Sequence, residues 1–328
     1  MMKRTNVLTA LLMIVLVVGV GVVNAAEAPE TWIVGFSQIG AESEWRNANT
    51  FSVQNAIGED PTLLLVFSDA QQKQENQIKA LRSFIARGVD VIAFTALVET
   101  GYGPVLQEAK DAGIPVIMID RDVAPEDRHL RLTIMGSDFV EEGRKAANWL
   151  AGYLKEQGLD DGERQINIVE LQGTVGSAPA IERKKGFEEV MSANHPNWKI
   201  VRSQTGNFTR SEGKAVMEAF LKAEKNIDVL YAHNDDMALG AIQAIEEAGL
   251  RPGKDIIIIG VDAVKGAFAE ILAGRMNCTV ECSPLLGPQL VQAIHDLRDG
   301  YELPERIYTI EGLFDHTNAA EAFPTRQY

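Results

Sequence analysis

The sequence predicts an α/β chain built as two doubly wound, parallel-sheet (Rossmann-like) lobes. Short β-rich apolar runs alternate with helix-patterned segments about every 30 residues, and this alternation breaks once near the middle and then resumes. Several of the runs are also apolar without interruption, as strands covered on both faces must be.

The runs fall at 31–37, 62–68, 89–95 and 114–120, then at 165–171, 198–203, 227–233 and 255–262. Ile256-Ile257-Ile258-Ile259 is the clearest continuous run. Between strands, 74–87 puts Ile78, Leu81 and Ile85 on one helical face, and 236–248 does the same with Leu239, Ile242 and Ile245. Gly88, Gly113 and Gly249 stand where helix C-termini are expected. A further strand is read at 276–282, carrying the two cysteines, Cys278 and Cys282. Four residues of strand separate Cα atoms by roughly 13 Å, beyond the roughly 7 Å limit for a disulfide. Free thiols are expected.

The N-terminus has the three parts of a secretory signal: Lys3 and Arg4, an apolar run at 7–23, and small residues at 24–26. Residues 1–26 are therefore expected to be a cleaved signal peptide. A retained anchor is the alternative, since about 17 apolar residues is the lower limit for spanning a bilayer. No cysteine follows the apolar run, which excludes a lipid anchor at that point. The chain has net charge −15, and losing Lys3 and Arg4 leaves −17. Such a surface repels phosphate backbones and anionic membranes, so nucleic acid is not an expected partner.

In doubly wound lobes, ligands sit outside the carboxyl ends of the strands. Those ends supply Ser37, Thr95, Asp120 and Arg121 in the first half, with Glu42, Trp45 and Arg46 in the loop after the first strand. The second half supplies Asn234 and Asp262, with Arg183 and Phe208 nearby. Asp, Asn and Arg match the paired donors and acceptors of sugar hydroxyls, while Trp and Phe suit the apolar C–H faces of a ring. Each residue also has a plainer reading. Asp120 and Asp262 fit helix N-caps, Arg121 fits a surface ion pair, Trp45 fits the core, and Asn234 fits a turn.

Five motifs carry a family resemblance: Ile119-Asp120-Arg121, Glu170-Leu171-Gln172-Gly173, Glu182-Arg183-Lys184-Lys185-Gly186-Phe187, His233-Asn234-Asp235-Asp236-Met237-Ala238-Leu239-Gly240-Ala241 and Gly260-Val261-Asp262. In order and spacing the chain resembles the type I, ribose-binding-protein-like periplasmic sugar receptors of ABC transporters. Gly35-Phe36-Ser37-Gln38, Glu42-Ser43-Glu44-Trp45-Arg46, the segment 71–80 and Phe208-Thr209-Arg210 look most like the galactofuranose-binding subgroup. The resemblance implies sugar contacts at Ser37, Trp45, Thr95, Asp120, Arg121, Arg183, Phe208, Asn234 and Asp262. The loop that carries two adjacent Phe residues in ribose receptors supplies Trp45 and Arg46 here, so a sugar with another hydroxyl for Arg46 or Glu42 is expected rather than ribose. Glu281 or Cys282 stands near the family's usual glutamine.

The resemblance also implies a three-segment hinge, near 136–138, 282–284 and 310–312. The first lobe would then hold 27–136 and 283–310, and the second 137–282 and 311–328. It further implies a periplasmic monomer with no cofactor or metal, which delivers a monosaccharide to a membrane permease and stays out of the membrane itself. A receptor for a chemoreceptor or sensor kinase is the alternative role.

An enzyme is disfavoured. The chain has no dinucleotide fingerprint, P-loop, His-Glu-x-x-His pair or nucleophile elbow. Asp120 and Asp262 could be paired as glycosidase carboxylates, but Arg121 and Arg183 are expected to hold both ionised, leaving no general acid. His233, Asp235 and Asp236 are the nearest semblance of a metal site, yet neighbours along a strand end point different ways. A repressor of the LacI type would share the two lobes but begin with a DNA-binding helix pair, where this chain has an export signal.

Overall fold

The computed structural model describes residues 30–328, and the expected signal peptide lies outside them. Strands β1 to β4 are Trp32–Gln38, Leu63–Asp69, Val91–Phe94 and Val116–Ile119; β5 to β8 are Thr133–Gly136, Ile166–Gln172, Trp198–Thr205 and Val229–Ala232. The last four, β9 to β12, are Ile257–Asp262, Cys278–Glu281, Arg306–Tyr308 and Leu313–Asp315. Helices α1 to α5 are Glu44–Glu59, Gln74–Arg87, Gly103–Asp111, Phe139–Glu156 and Ala178–Asn194. They are followed by α6 to α10: Arg210–Ala223, Asp235–Glu247, Lys265–Leu272, Gly287–Arg298 and Ala319–Ala322.

Two six-stranded sheets result, in the orders β11-β5-β4-β3-β1-β2 and β12-β10-β9-β8-β6-β7. Apart from the antiparallel β10–β12 pair, every pairing is parallel. The central strands β3, β4, β8 and β9 are buried along their whole length, which explains their uninterrupted apolar character. Edge strands β2 and β7 alternate with exposed positions instead. Helices cover both faces, and Gly35 on β1 leaves room for the Phe84 ring of α2, which a Cβ would meet at 2.7 Å.

The chain passes between the sheets three times. It leaves the first between β5 and α4, which packs in the second-lobe core through Phe139, Ala146 and Leu150. It returns between β10 and α9, whose Leu286-flanked start and Leu290 pack under the first sheet. It crosses a last time between β11 and β12.

Three strands escaped the sequence reading: β5, β11 and β12, of three or four residues each. β11 and β12 have three residues each with none fully buried, so neither shows an apolar run, and β5 offers only Ile134 and Met135 as large apolar residues. Cys278 and Cys282 are buried and unbridged, as the strand geometry required. Among the described residues, no helix is long and apolar enough to cross a membrane.

Candidate sugar-binding site

A cavity of about 280 Å³ lies between the lobes, at the carboxyl ends of both sheets. Of the expected contacts, Glu42, Trp45, Arg46, Asp120, Arg121, Arg183, Phe208, Asn234 and Asp262 line it. Ser37 and Thr95 do not line it; both are fully buried. Ser43, Pro179 and Cys282 complete the wall. Ser43 caps α1 by accepting from Arg46 N, and this helix start presents Trp45 and Arg46 to the cavity.

The first-lobe wall is a chain of alternating charges. Arg46 Nε donates to Glu42 Oε1 at 3.1 Å and its Nη2 to Asp120 Oδ2 at 2.8 Å. Arg121 approaches both carboxylates at 3.8 Å. Burial alone would lower the Arg46 pKa, but Asp120 and Glu42 outweigh it and raise it overall. Arg121 is instead lowered to about 10 by burial and by the neighbouring Arg46 charge. Ser37 Oγ, Glu42 Oε2, Arg46 Nη1, Thr95 Oγ1 and Arg121 Nε are all buried without a hydrogen-bond partner among the described residues. A buried polar atom left unpaired is costly and rare, and three of these, on Glu42, Arg46 and Arg121, belong to residues that line the cavity.

The second-lobe wall is organised around Arg183 of α5. Its Nε donates to Glu142 Oε2 at 2.7 Å, Nη1 donates to the carbonyl of His233, and Nη2 lies 3.7 Å from Asp262 Oδ1. Glu142, on α4, gave no sequence signal, because only the α4–α5 packing brings it there. Burial pushes its carboxyl up to about 7 against the opposing pull of Arg183. Asp262 is likewise raised well above the ordinary carboxylate range by burial, with Arg183 opposing. Against the expectation that Arg183 holds Asp262 ionised, the guanidinium at 3.7 Å opposes but does not outweigh the upward push of burial.

Neither aspartate caps a helix. Asp120 and Asp262 sit at positive φ, +65° and +124°, at or just beyond the ends of β4 and β9. Asn234 does two things: it caps α7 through Met237 N and also lines the cavity. Arg121 is no surface pair, being 3% exposed, and its guanidinium stacks 4.9 Å from the Phe208 ring of the other lobe. Trp45 joins the second-lobe core and the cavity wall together, and its Nε1 donates to Cys282 O at 2.6 Å. The Phe208 ring occupies the space where a side chain on Gly173 would be. Next to the cavity residue Asn234, His233 turns to Glu170, while Asp235 binds Thr279 and Asp236 binds Arg210. The three therefore form no common site.

The lobes are closed over this cavity. Glu44 N donates to Asp236 Oδ2 and Arg210 Nη2 to Glu44 Oε1, each at 2.8 Å. Near Val98, Glu99 N donates to Gly176 O at 2.9 Å.

Residues 34–302 match the periplasmic binding protein domain. The chain belongs to the periplasmic binding protein family. Members of this family bind solutes rather than transform them, and the chain is not an enzyme. It is 48% identical over 286 residues to the galactofuranose-binding protein YtfQ of Escherichia coli K12, covering 86% of each chain. A Mycobacterium smegmatis structure in complex with β-D-fucofuranose superposes with a TM-score of 0.86 at 51% identity, covering 91% of this chain and 96% of that one. The binding component of the arabinose ABC transporter of Shewanella sp. ANA-3, bound to α- and β-L-arabinofuranose, gives 0.83 at 49% identity, with coverage of 90% and 95%. The receptor fold of this periplasmic binding protein is thus shared along nearly its full described length.

Proposed function

We propose that this periplasmic binding protein captures one neutral furanose monosaccharide, of galactofuranose type, and delivers it to the permease of an ABC importer. The observation that carries the reading is the space between the lobes, about 280 Å³ with its solvent-open part included, walled by interleaved carboxyl and guanidinium groups, a Trp and a Phe, with unpaired polar atoms on Glu42, Arg46 and Arg121. Alternating carboxyl and guanidinium groups bind paired hydroxyls in fork geometry. The furanose ring form is supported by the sugars held by similar proteins, galactofuranose, β-D-fucofuranose and L-arabinofuranose.

In this reading the contacts are Glu42, Trp45, Arg46, Asp120, Arg121, Arg183, Phe208, Asn234 and Asp262, while Ser37 and Thr95 lie buried behind them. The lobes comprise 27–136 with 283–310 and 137–282 with 311–328, and the hinge lies where these segments join. Sugar entering the open cleft stabilises the closed state by its greater affinity for it. The protein works as a periplasmic monomer after removal of residues 1–26.

The test is calorimetric titration with galactose, arabinose, fucose and ribose, alongside furanose-locked methyl glycosides. Where only the furanose form binds, the apparent Kd of a reducing sugar exceeds the intrinsic one by the inverse of the furanose fraction. Binding of at least one of the first three sugars, with ribose weakest, is expected. Heat from ribose alone, or from none of the sugars, would reject the reading.

A further inference from the structure

The Asp262–Ala263 turn is an unusual place for two side chains. Asp262 has φ +124° and Ala263 φ +60°, and neither is glycine. Non-glycine residues persist in such conformations only where their surroundings over-determine them. Three groups hold this turn. Thr279 Oγ1 accepts from Ala263 N at 3.0 Å, Asp235 Oδ2 accepts from Val264 N at 3.0 Å, and Arg326 Nη2 donates to Ala263 O at 3.0 Å.

The third group comes from far along the chain, in the tail after β12 and beyond the stretch that matches the family. Its guanidinium is placed with care. Nη1 donates to Glu281 Oε1 at 2.6 Å, and the Phe268, Phe314 and Tyr328 rings lie 5.3, 5.2 and 4.6 Å from its centre. Glu281 in turn accepts from Gly312 N at 2.9 Å through Oε2. The tail is fixed from its other side by Lys265 N donating to Tyr328 O at 2.8 Å.

One planar fork thus spans the ends of two paired strands, β9 and β10, where Asp262 stands opposite Glu281. Ala263, on one arm, follows the cavity residue Asp262; Glu281, on the other, precedes the cavity residue Cys282. We propose that Arg326 is a positioning residue for the sugar site. It touches no cavity atom, but it holds the strained turn that aims the Asp262 carboxylate and fixes the adjoining hinge strand. The proposal takes from the functional reading only that Asp262 contacts the sugar.

The test measures two things on Arg326→Ala in the full-length mature chain. One is the Kd for the furanose sugar bound by the wild type, and the other is deuterium exchange along the backbone. The expected result is a Kd about 10- to 100-fold weaker, with faster exchange confined to 262–265 and to the start of α8. Exchange in β3 of the first lobe should stay as in the wild type. An unchanged Kd overturns the proposal, and so does weaker binding with exchange raised throughout the second lobe. If Arg326→Ala does not melt cooperatively, Arg326→Lys serves. An ammonium keeps the charge among the rings but cannot fork to both acceptors, so wild-type affinity in that variant would also overturn the proposal. A wild type that binds no sugar at all defeats the functional reading instead, and the exchange measurement alone then decides whether Arg326 holds the turn.

Discussion

Replacing Asp120 by Asn removes one charge and almost no volume from the first-lobe wall. At φ +65° the backbone of residue 120 is left-handed, a conformation that Asn tolerates as readily as Asp. Oδ2 is engaged by Arg46 at 2.8 Å, and an amide oxygen placed there keeps that bond. The loss falls on the second oxygen, which becomes a donor and can no longer accept a hydroxyl. It falls also on the charge balance, since Glu42 alone then faces Arg46 and Arg121. A hydrogen bond to a charged group contributes about 1.5–3 kcal/mol and a neutral one about 0.5–1.5. Losing one bond of the first kind and weakening a second gives about 2–3 kcal/mol. This corresponds to a Kd about 30- to 150-fold weaker. Calorimetric titration of the sugar checks the figure, with a thermal melt to show that the fold is kept. A Kd within about twofold of wild type would refute the assignment of Asp120 to the ligand.

Gly143→Ala should damage stability and binding together, because a Cβ there would stand 2.1 Å from Arg183 O and 2.8 Å from Phe187 N. Forcing α4 from α5 should cost about 1–3 kcal/mol and carry Arg183 out of place; a melt and a titration that both match wild type would contradict this. Glu142, raised to about 7 by burial, keeps its proton in the folded state where the unfolded chain has lost it. Stability from this group is thus present at low pH and declines as pH rises from about 4.5 to about 7. The melting temperature of Glu142→Gln should lack that part of the slope, and identical slopes in the two proteins would show that Glu142 does not titrate there.

The sequence carried the buried parallel strands plainly, since a run such as Ile256 to Ile259 leaves few other readings. It also carried Asp120, Arg121, Asn234 and Asp262, because the carboxyl end of a strand is a location that pattern alone can find. Ser37 and Thr95 satisfied the same rule yet stop short of the cavity, for strand ends specify a neighbourhood and not the direction of a side chain. The strands β11 and β12 were too short and too exposed to show an apolar run, and β5 offered only Ile134 and Met135 as large apolar residues. Glu142 and Arg326 were out of reach for a different reason. Each reaches its partner across a distance that only the assembled lobes close, Glu142 by helix packing and Arg326 by the return of the tail. The lower proton affinity expected of Asp262 failed likewise, since burial depth is a property of the closed cleft.

The two cavity aspartates occupy equivalent corners, at or just past the ends of β4 and β9, and both stand in backbone conformations that side chains disfavour. Residues held this way cost of order 1–3 kcal/mol each. Selection for heat resistance alone would favour glycine at both corners, and the protein would gain robustness while losing the groups that aim into the cleft. On the proposed sugar contacts, tolerance to temperature and grip on the ligand pull against each other at these two positions, and efforts to harden the protein as a sensor scaffold should leave 120 and 262 untouched.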